Sequence, residues 1–256
     1  MEATGASYKK VFKEAQSLGY VEANPKLDVG GIDAAQKLTI LSAIAFGIAP
    51  DLNNLSVSGI RDVDVTDILF AEELGYRIKL LAFSKFDNGL VQEVSPCMIS
   101  LDRQISNVEG VLNAVELDTE LAGPVMLTGY GAGAEPTATA VLSDIISIVQ
   151  GKQPNAFGPK TNELNLNVKH GEKESNRYYM RLNVIDKSGV LAGVTEIFRK
   201  YALSIESLLQ RGRNPNEEVP VVITTHETDY DTLQSVMKDL TNSKELISKP
   251  VCMKII

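Results

Sequence analysis

The chain has 256 residues, 44% hydrophobic and 23% charged, the mixture of a soluble globular protein long enough for two domains. With 25 Lys and Arg against 33 Asp and Glu its net charge is -8, which argues against nucleic acid or an anionic membrane surface as a partner. It has neither an apolar run of signal-peptide length near Met1 nor an uninterrupted membrane-spanning stretch, so the expected location is the cytoplasm.

In chain order, residues 7–18 have the spacing of a short amphipathic helix that ends at Gly19. The stretch 19–37 gathers Glu22, Asp28, Asp33 and Lys37 in two turn-like segments and a helix start. Asp33 and Lys37 are four apart and lie on one helix face. By spacing alone they fit a solvated acidic turn. The helix expected to run on to Phe46 is apolar on nearly all sides, which suggests burial and leaves Lys37 no obvious solvent side.

A strand over 55–60, a helix over 64–74 and two alternating runs, 77–83 and 90–96, follow, the runs joined by the hairpin turn Asp87-Asn88-Gly89. Strands fit 113–117 and 124–128, and a helix fits 135–150 with Pro136 in its first turn. Between them Gly129-Tyr130-Gly131-Ala132-Gly133-Ala134 matches a dinucleotide fingerprint on its face. It also fits a structural glycine turn, or a backbone loop that touches a cofactor held mainly elsewhere. A full nucleotide site needs a continuing βαβ unit and a ribose-binding acid, whereas this helix runs into a segment rich in Gly, Pro and Asn.

That segment, 151–176, reads as a linker with at most one short strand around 164–168. Beyond it come strand 178–185, helix 190–200, strands 204–210 and 219–225, helix 230–240 and strand 251–255, a ferredoxin-like βαββαβ unit. The whole is an α+β chain: residues 1–150, a mixed sheet with helices on one side; 151–176; and 177–256. The turn Asp186-Lys187-Ser188-Gly189-Val190 is either a capped helix start or a place to hold a small carboxylate. Cys97 and Cys252 fall in segments expected to belong to different domains, which excludes a disulfide framework. His170 and His226 lie near no cysteine pair, and no metal cluster is expected.

The motifs Gly19-Tyr20-Val21-Glu22-Ala23-Asn24-Pro25, Leu27-Asp28-Val29, Gly31-Ile32-Asp33-Ala34-Ala35, Lys37-Leu38, Glu73-Leu74-Gly75-Tyr76 and Gly131-Ala132-Gly133, in this order, resemble the homoserine dehydrogenase family over roughly residues 5–150. Residues 178–255, with Asp186-Lys187-Ser188-Gly189-Val190, resemble an ACT regulatory domain. The resemblance implies NAD(P)-dependent interconversion of L-aspartate 4-semialdehyde and L-homoserine, on the route to threonine, isoleucine and methionine. It implies Lys37 as proton donor, Asp33 beside it as a catalytic and substrate-site acid, Glu22 and Asp28 as further substrate-binding acids, and Gly19, Gly131 and Gly133 as backbone near the nicotinamide. Asp186, Gly189 and Val190 become effector-site candidates, with threonine the candidate effector, although Ser188 stands where ACT sequences often carry Pro. The family's N-terminal nucleotide-binding domain is missing from the resemblance, so the chain alone is expected to have weak or no activity. The competing expectation is a non-catalytic amino-acid sensor on a decayed dehydrogenase platform. Exposed strand edges suggest a homodimer or higher.

Overall fold

In the computed structural model, which describes residues 1, 4–17, 27, 29–152, 155–166, 168–171, 174–212 and 214–256, one seven-stranded sheet runs through most of the chain. Helices α1 (Tyr8–Ser17) and α2 (Ile32–Phe46) come first, then the two-residue strand β1 (Ser56–Val57) and helix α3 (Val65–Glu73). The hairpin of β2 (Tyr76–Phe86) and β3 (Leu90–Ser100) is antiparallel along its full length, from Tyr76 opposite Ser100 to Phe86 opposite Leu90. A separate two-stranded hairpin, β4 (Leu112–Thr119) and β5 (Gly123–Tyr130), leads into helix α4 (Ala134–Val149).

The C-terminal unit consists of β6 (Arg177–Ile185), α5 (Val190–Lys200), β7 (Ile205–Gln210), β8 (Glu218–Thr225), α6 (Tyr230–Thr241) and β9 (Val251–Ile255). Its strand order β9-β6-β8-β7 is that of the expected ferredoxin-like unit. The second edge of β3 is shared. Ser56 and Val57 lie parallel to Glu93 and Val94, and further along Cys97 and Met98 lie parallel to Lys254 and Ile255. This joins the two halves into one sheet. It also accounts for a β1 shorter than the expected 55–60 strand, since β3 has only a short stretch of edge left to pair with it.

The helices cover opposite faces. On one, α5 and α6 bury Met180, Leu182, Val184 and Ile223 with Val194, Phe198, Val236 and Leu240. On the other, α3 packs Phe70 and Ala71 against Met98, Tyr179, Val222 and Met253, and α2 packs Ala35 and Leu38 against Val94. Helix α3 therefore sits on the face that a lone ferredoxin-like unit would leave open. Its Asp67, fully buried, accepts from the Tyr179 hydroxyl (2.8 Å), Arg181 Nε (2.7 Å), Arg181 Nη2 (3.1 Å) and the Asp64 backbone N–H (2.8 Å). Burial and the Asp67 carboxylate push the Tyr179 hydroxyl far above its ordinary value. An Arg211–Glu73 ion pair adds a second tie between α3 and the C-terminal unit.

The expected strand near 164–168 is instead a 3-10 turn at Thr161–Glu163 with isolated bridges from Asn165 to Ile48 and from His170 to Leu90. Cys97 and Cys252, expected in different domains, stand on the adjacent strands β3 and β9 and are free thiols. Burial pushes them up to about 11 and about 12. At pH 8 the buried Cys97 is not expected to react with a thiol reagent until the protein unfolds, whereas Cys252 is partly exposed, and rapid labelling of both thiols in the native protein would contradict this packing.

Candidate functional site

Glycines set the ends of α2. Gly31 precedes it with φ 81°, and Gly47 follows with φ 65° and its N–H on Ala43 O, left-handed conformations that a side chain resists. The turn before the helix is pressed against the residues after β1, where the Ile60 N–H donates to Val29 O at 3.0 Å. A Cβ at Gly59 would fall 2.1 Å from Val29 O, so only glycine permits this approach. The start of α2 is thereby anchored to the sheet through β1.

On α2 the contacts alternate with helical period. Ala35, Leu38, Thr39, Ser42 and Ala43 face the sheet, and Ile32, Gln36, Lys37, Ile40, Leu41 and Ile44 face outward. Lys37 Nζ lies 2.7 Å from Asp33 Oδ2, with the two side chains 57% and 50% exposed. The expectation that Lys37 lacks a solvent side is overturned. The helix carries apolar residues on both faces, but only one face has partners, and Lys37 stands on the other amid exposed Ile40, Leu41 and Ile44. Chemically this is a lysine ammonium with a carboxylate to hold it, set in an apolar surface. Glu22, Asp28 and Gly19 lie outside the described residues.

The glycine loop is elsewhere, between β5 and α4, and among the described residues no hydrogen bond joins it to Asp33 or Lys37. Its two candidate glycines differ. A Cβ at Gly131 would fall 1.9 Å from Asn113 Nδ2, so the chain's own Asn113 takes the space a side chain would need. Gly133 has φ 126° and only Pro136 near its missing Cβ, at 3.4 Å. Gly133 thus keeps open space beside its backbone at the first turn of α4, while Gly131 has a structural reason to be glycine. Helix α4 buries none of its residues, and Leu142, Ile146, Ile148 and Val149 are exposed.

The third group is at the β6–α5 turn. Asp186 is already engaged: its Oδ2 accepts from the Asn214 N–H at 2.9 Å, and its backbone bonds Glu217 and Asn216. It acts as a clasp on the 211–217 loop, a role that the sequence alone did not indicate. Gly189 (φ 93°) caps α5, and with Asp186, Val190 and Gln210 it lines a shallow depression of about 190 Å³. A wider one of about 610 Å³, bordered by Lys187, Asn216, Lys244 and Glu245, adjoins it. The three candidate groups are thus carried by different elements of the fold.

The sequence profile described as homoserine dehydrogenase matches residues 1–146. A homoserine dehydrogenase of Helicobacter pylori is 36% identical over 98% of this chain and 59% of its own length. One of Neisseria gonorrhoeae is 36% identical over 99% and 60%. Among solved structures, a homoserine dehydrogenase from Thiobacillus denitrificans superposes with a TM-score of 0.86 at 36% identity, over 100% of this chain and 60% of that one. The chain thus spans about 60% of the length of these relatives.

Proposed function

The chain belongs to the homoserine dehydrogenase family, and from that premise we propose that it forms the substrate side of an NAD(P)-dependent enzyme interconverting L-aspartate 4-semialdehyde and L-homoserine. The observation that carries this reading is the outward-facing Lys37–Asp33 pair on α2. NAD(P), when bound, supplies or takes up the hydride. Lys37 Nζ then gives a proton to the aldehyde oxygen in the reducing direction and takes it from the hydroxyl in the other. As that oxygen gains charge, the ammonium stabilises it. Asp33 holds the ammonium and presents a second oxygen to the substrate's amino group, with Glu22 and Asp28 assigned to the same task by the family resemblance.

Backbone at Gly133 and Gly131, with Gly19, is assigned to the nicotinamide side. The apolar outward faces of α2 and α4 support a site completed by further protein, because soluble proteins rarely leave such faces bare. Among the described residues, no strand pairs in parallel with β5 to continue a βαβ nucleotide unit. The C-terminal unit, 177–256, is assigned as an ACT regulatory domain, with an amino acid such as threonine at the Gly189–Val190 depression. Exposed Leu117 and Leu127 on the β4–β5 hairpin support pairing with a second copy. No helix among the described residues is long and apolar enough to cross a membrane, and a cytoplasmic location is part of the proposal.

The test compares turnover of this chain with turnover of the same sequence joined to a family nucleotide-binding domain. The fusion is expected to oxidise L-homoserine and the chain alone to give less than about 1% of its rate. A fully active chain would refute the assignment of the nucleotide side, and an inactive but folded, NADPH-binding fusion would favour the amino-acid sensor.

A further inference from the structure

Burial of apolar area does not by itself explain how α2 is rotated on the sheet. The exposed face carries Ile32, Ile40, Leu41 and Ile44, at 37, 48, 42 and 52% exposure, and the buried face carries Ala35, Leu38, Thr39, Ser42 and Ala43. Turning the helix half round would bury three isoleucines and a leucine but also Gln36 and the Lys37–Asp33 pair, and would expose mainly alanines and hydroxyls, so apolar area pulls toward the turned setting and the charged pair against it. Small residues permit close packing in the observed setting, but a specific polar contact also opposes the turn. Ser42 Oγ donates to Ser84 Oγ at 2.8 Å and accepts from Gln92 Nε2 at 2.8 Å. Ser84 and Gln92 are directly opposite one another on β2 and β3, and Ser42 sits over the pair. Ser42 and Gln92 are only 2% and 8% exposed, so a turned helix would strand buried polar groups without partners.

We infer that Ser42, Ser84 and Gln92 form the rotational key of α2 and are thereby positioning residues for Lys37, an inference that rests on the reading of Lys37 as proton donor. Residues five apart on a helix are separated by about 140° around its axis, so holding Ser42 inward holds Lys37 outward. None of the three touches the reacting atoms. Their part is to fix, together with the solvation of the Lys37–Asp33 pair, the rotation that presents the ammonium to the substrate, a use of buried polar groups best known from helix register.

The test uses the fusion with the nucleotide-binding domain. In the triple variant Ser42→Ala, Ser84→Ala, Gln92→Leu every partner is removed together, so the melting temperature is expected to change little while kcat falls at least about 10-fold and KM for the nucleotide is unchanged. A reporter, Ile44→Cys, is expected to react quickly with a thiol reagent in the otherwise unaltered protein and several-fold more slowly in the triple variant. The single variant Gln92→Leu keeps the Ser42–Ser84 bond and is expected to recover most of both properties. If the triple variant fails to fold, Ser42→Ala, which removes both bonds from the helix to the sheet, carries the test, and unchanged labelling and kcat there count against the key. Unchanged labelling and kcat in a folded triple variant overturn the inference whatever Lys37 does. Slowed labelling with full turnover in Lys37→Ala would instead refute the proton-donor reading and with it the positioning role, leaving only the rotational preference.

Discussion

Replacing Lys37 by alanine is expected to lower kcat of the completed enzyme by about 10²–10⁴-fold, the range a positioned general acid contributes, with the melting temperature unchanged. The fold should not register the loss. Lys37 is 57% exposed and makes one ion pair to Asp33 within its own helix, and exposed pairs of that kind contribute only about 0.3–0.5 kcal/mol. Lys37→Arg separates charge from chemistry. Arginine keeps the charge beside Asp33 but holds its proton too tightly to exchange it, so turnover stays low while substrate binding survives. Turnover within about threefold of the parent in either variant would remove Lys37 from the mechanism.

The largest expected effect on stability lies at a different residue. Arg181→Met takes two donated hydrogen bonds from Asp67, which stays fully buried with only the Tyr179 hydroxyl and the Asp64 N–H. Breaking one partner out of a buried pair costs about 3–5 kcal/mol, because the remaining charge has no compensation. For a chain of this size that is a fall in melting temperature of roughly 10 °C. The double variant Asp67→Leu, Arg181→Met removes the stranded charge and is expected to recover most of the loss. Since Asp67 belongs to α3 and Arg181 to β6, the single variant should also separate the unfolding of the two halves, visible as a second transition by calorimetry. A single variant as stable as the parent would mean that this cluster does not hold the halves together.

Much of the fold was legible because it is written in short-range pattern. The alternating runs around Asp87-Asn88-Gly89 became the β2–β3 hairpin, and the order of elements after residue 177 became the ferredoxin-like unit. The joining of the halves was not legible. It depends on Cys97 and Met98 meeting Lys254 and Ile255, a pairing across more than 150 residues that no local periodicity records. The site divided in the same way. Spacing placed Asp33 and Lys37 on one face, and the structure brings them within 2.7 Å. Their exposure was misjudged because a helix with apolar residues on both faces reads as buried on every side, whereas here it packs on one side only. Asp186 was an effector-site candidate through the ACT resemblance, and it borders the depression beside Gly189 and Val190. Its engagement with Asn214 needs the 211–217 loop to fold back, which sequence spacing does not reveal.

The most direct test of the central claim, that the outward face of α2 is the substrate side, is a methyl NMR titration of this chain with L-homoserine into the tens of millimolar. The account expects shifts concentrated at Ile32, Ile40, Leu41 and Ile44, around Lys37. Shifts confined to Ile185, Val190 and Leu191 at the β6–α5 turn, with α2 silent, would contradict it and make the chain an amino-acid sensor.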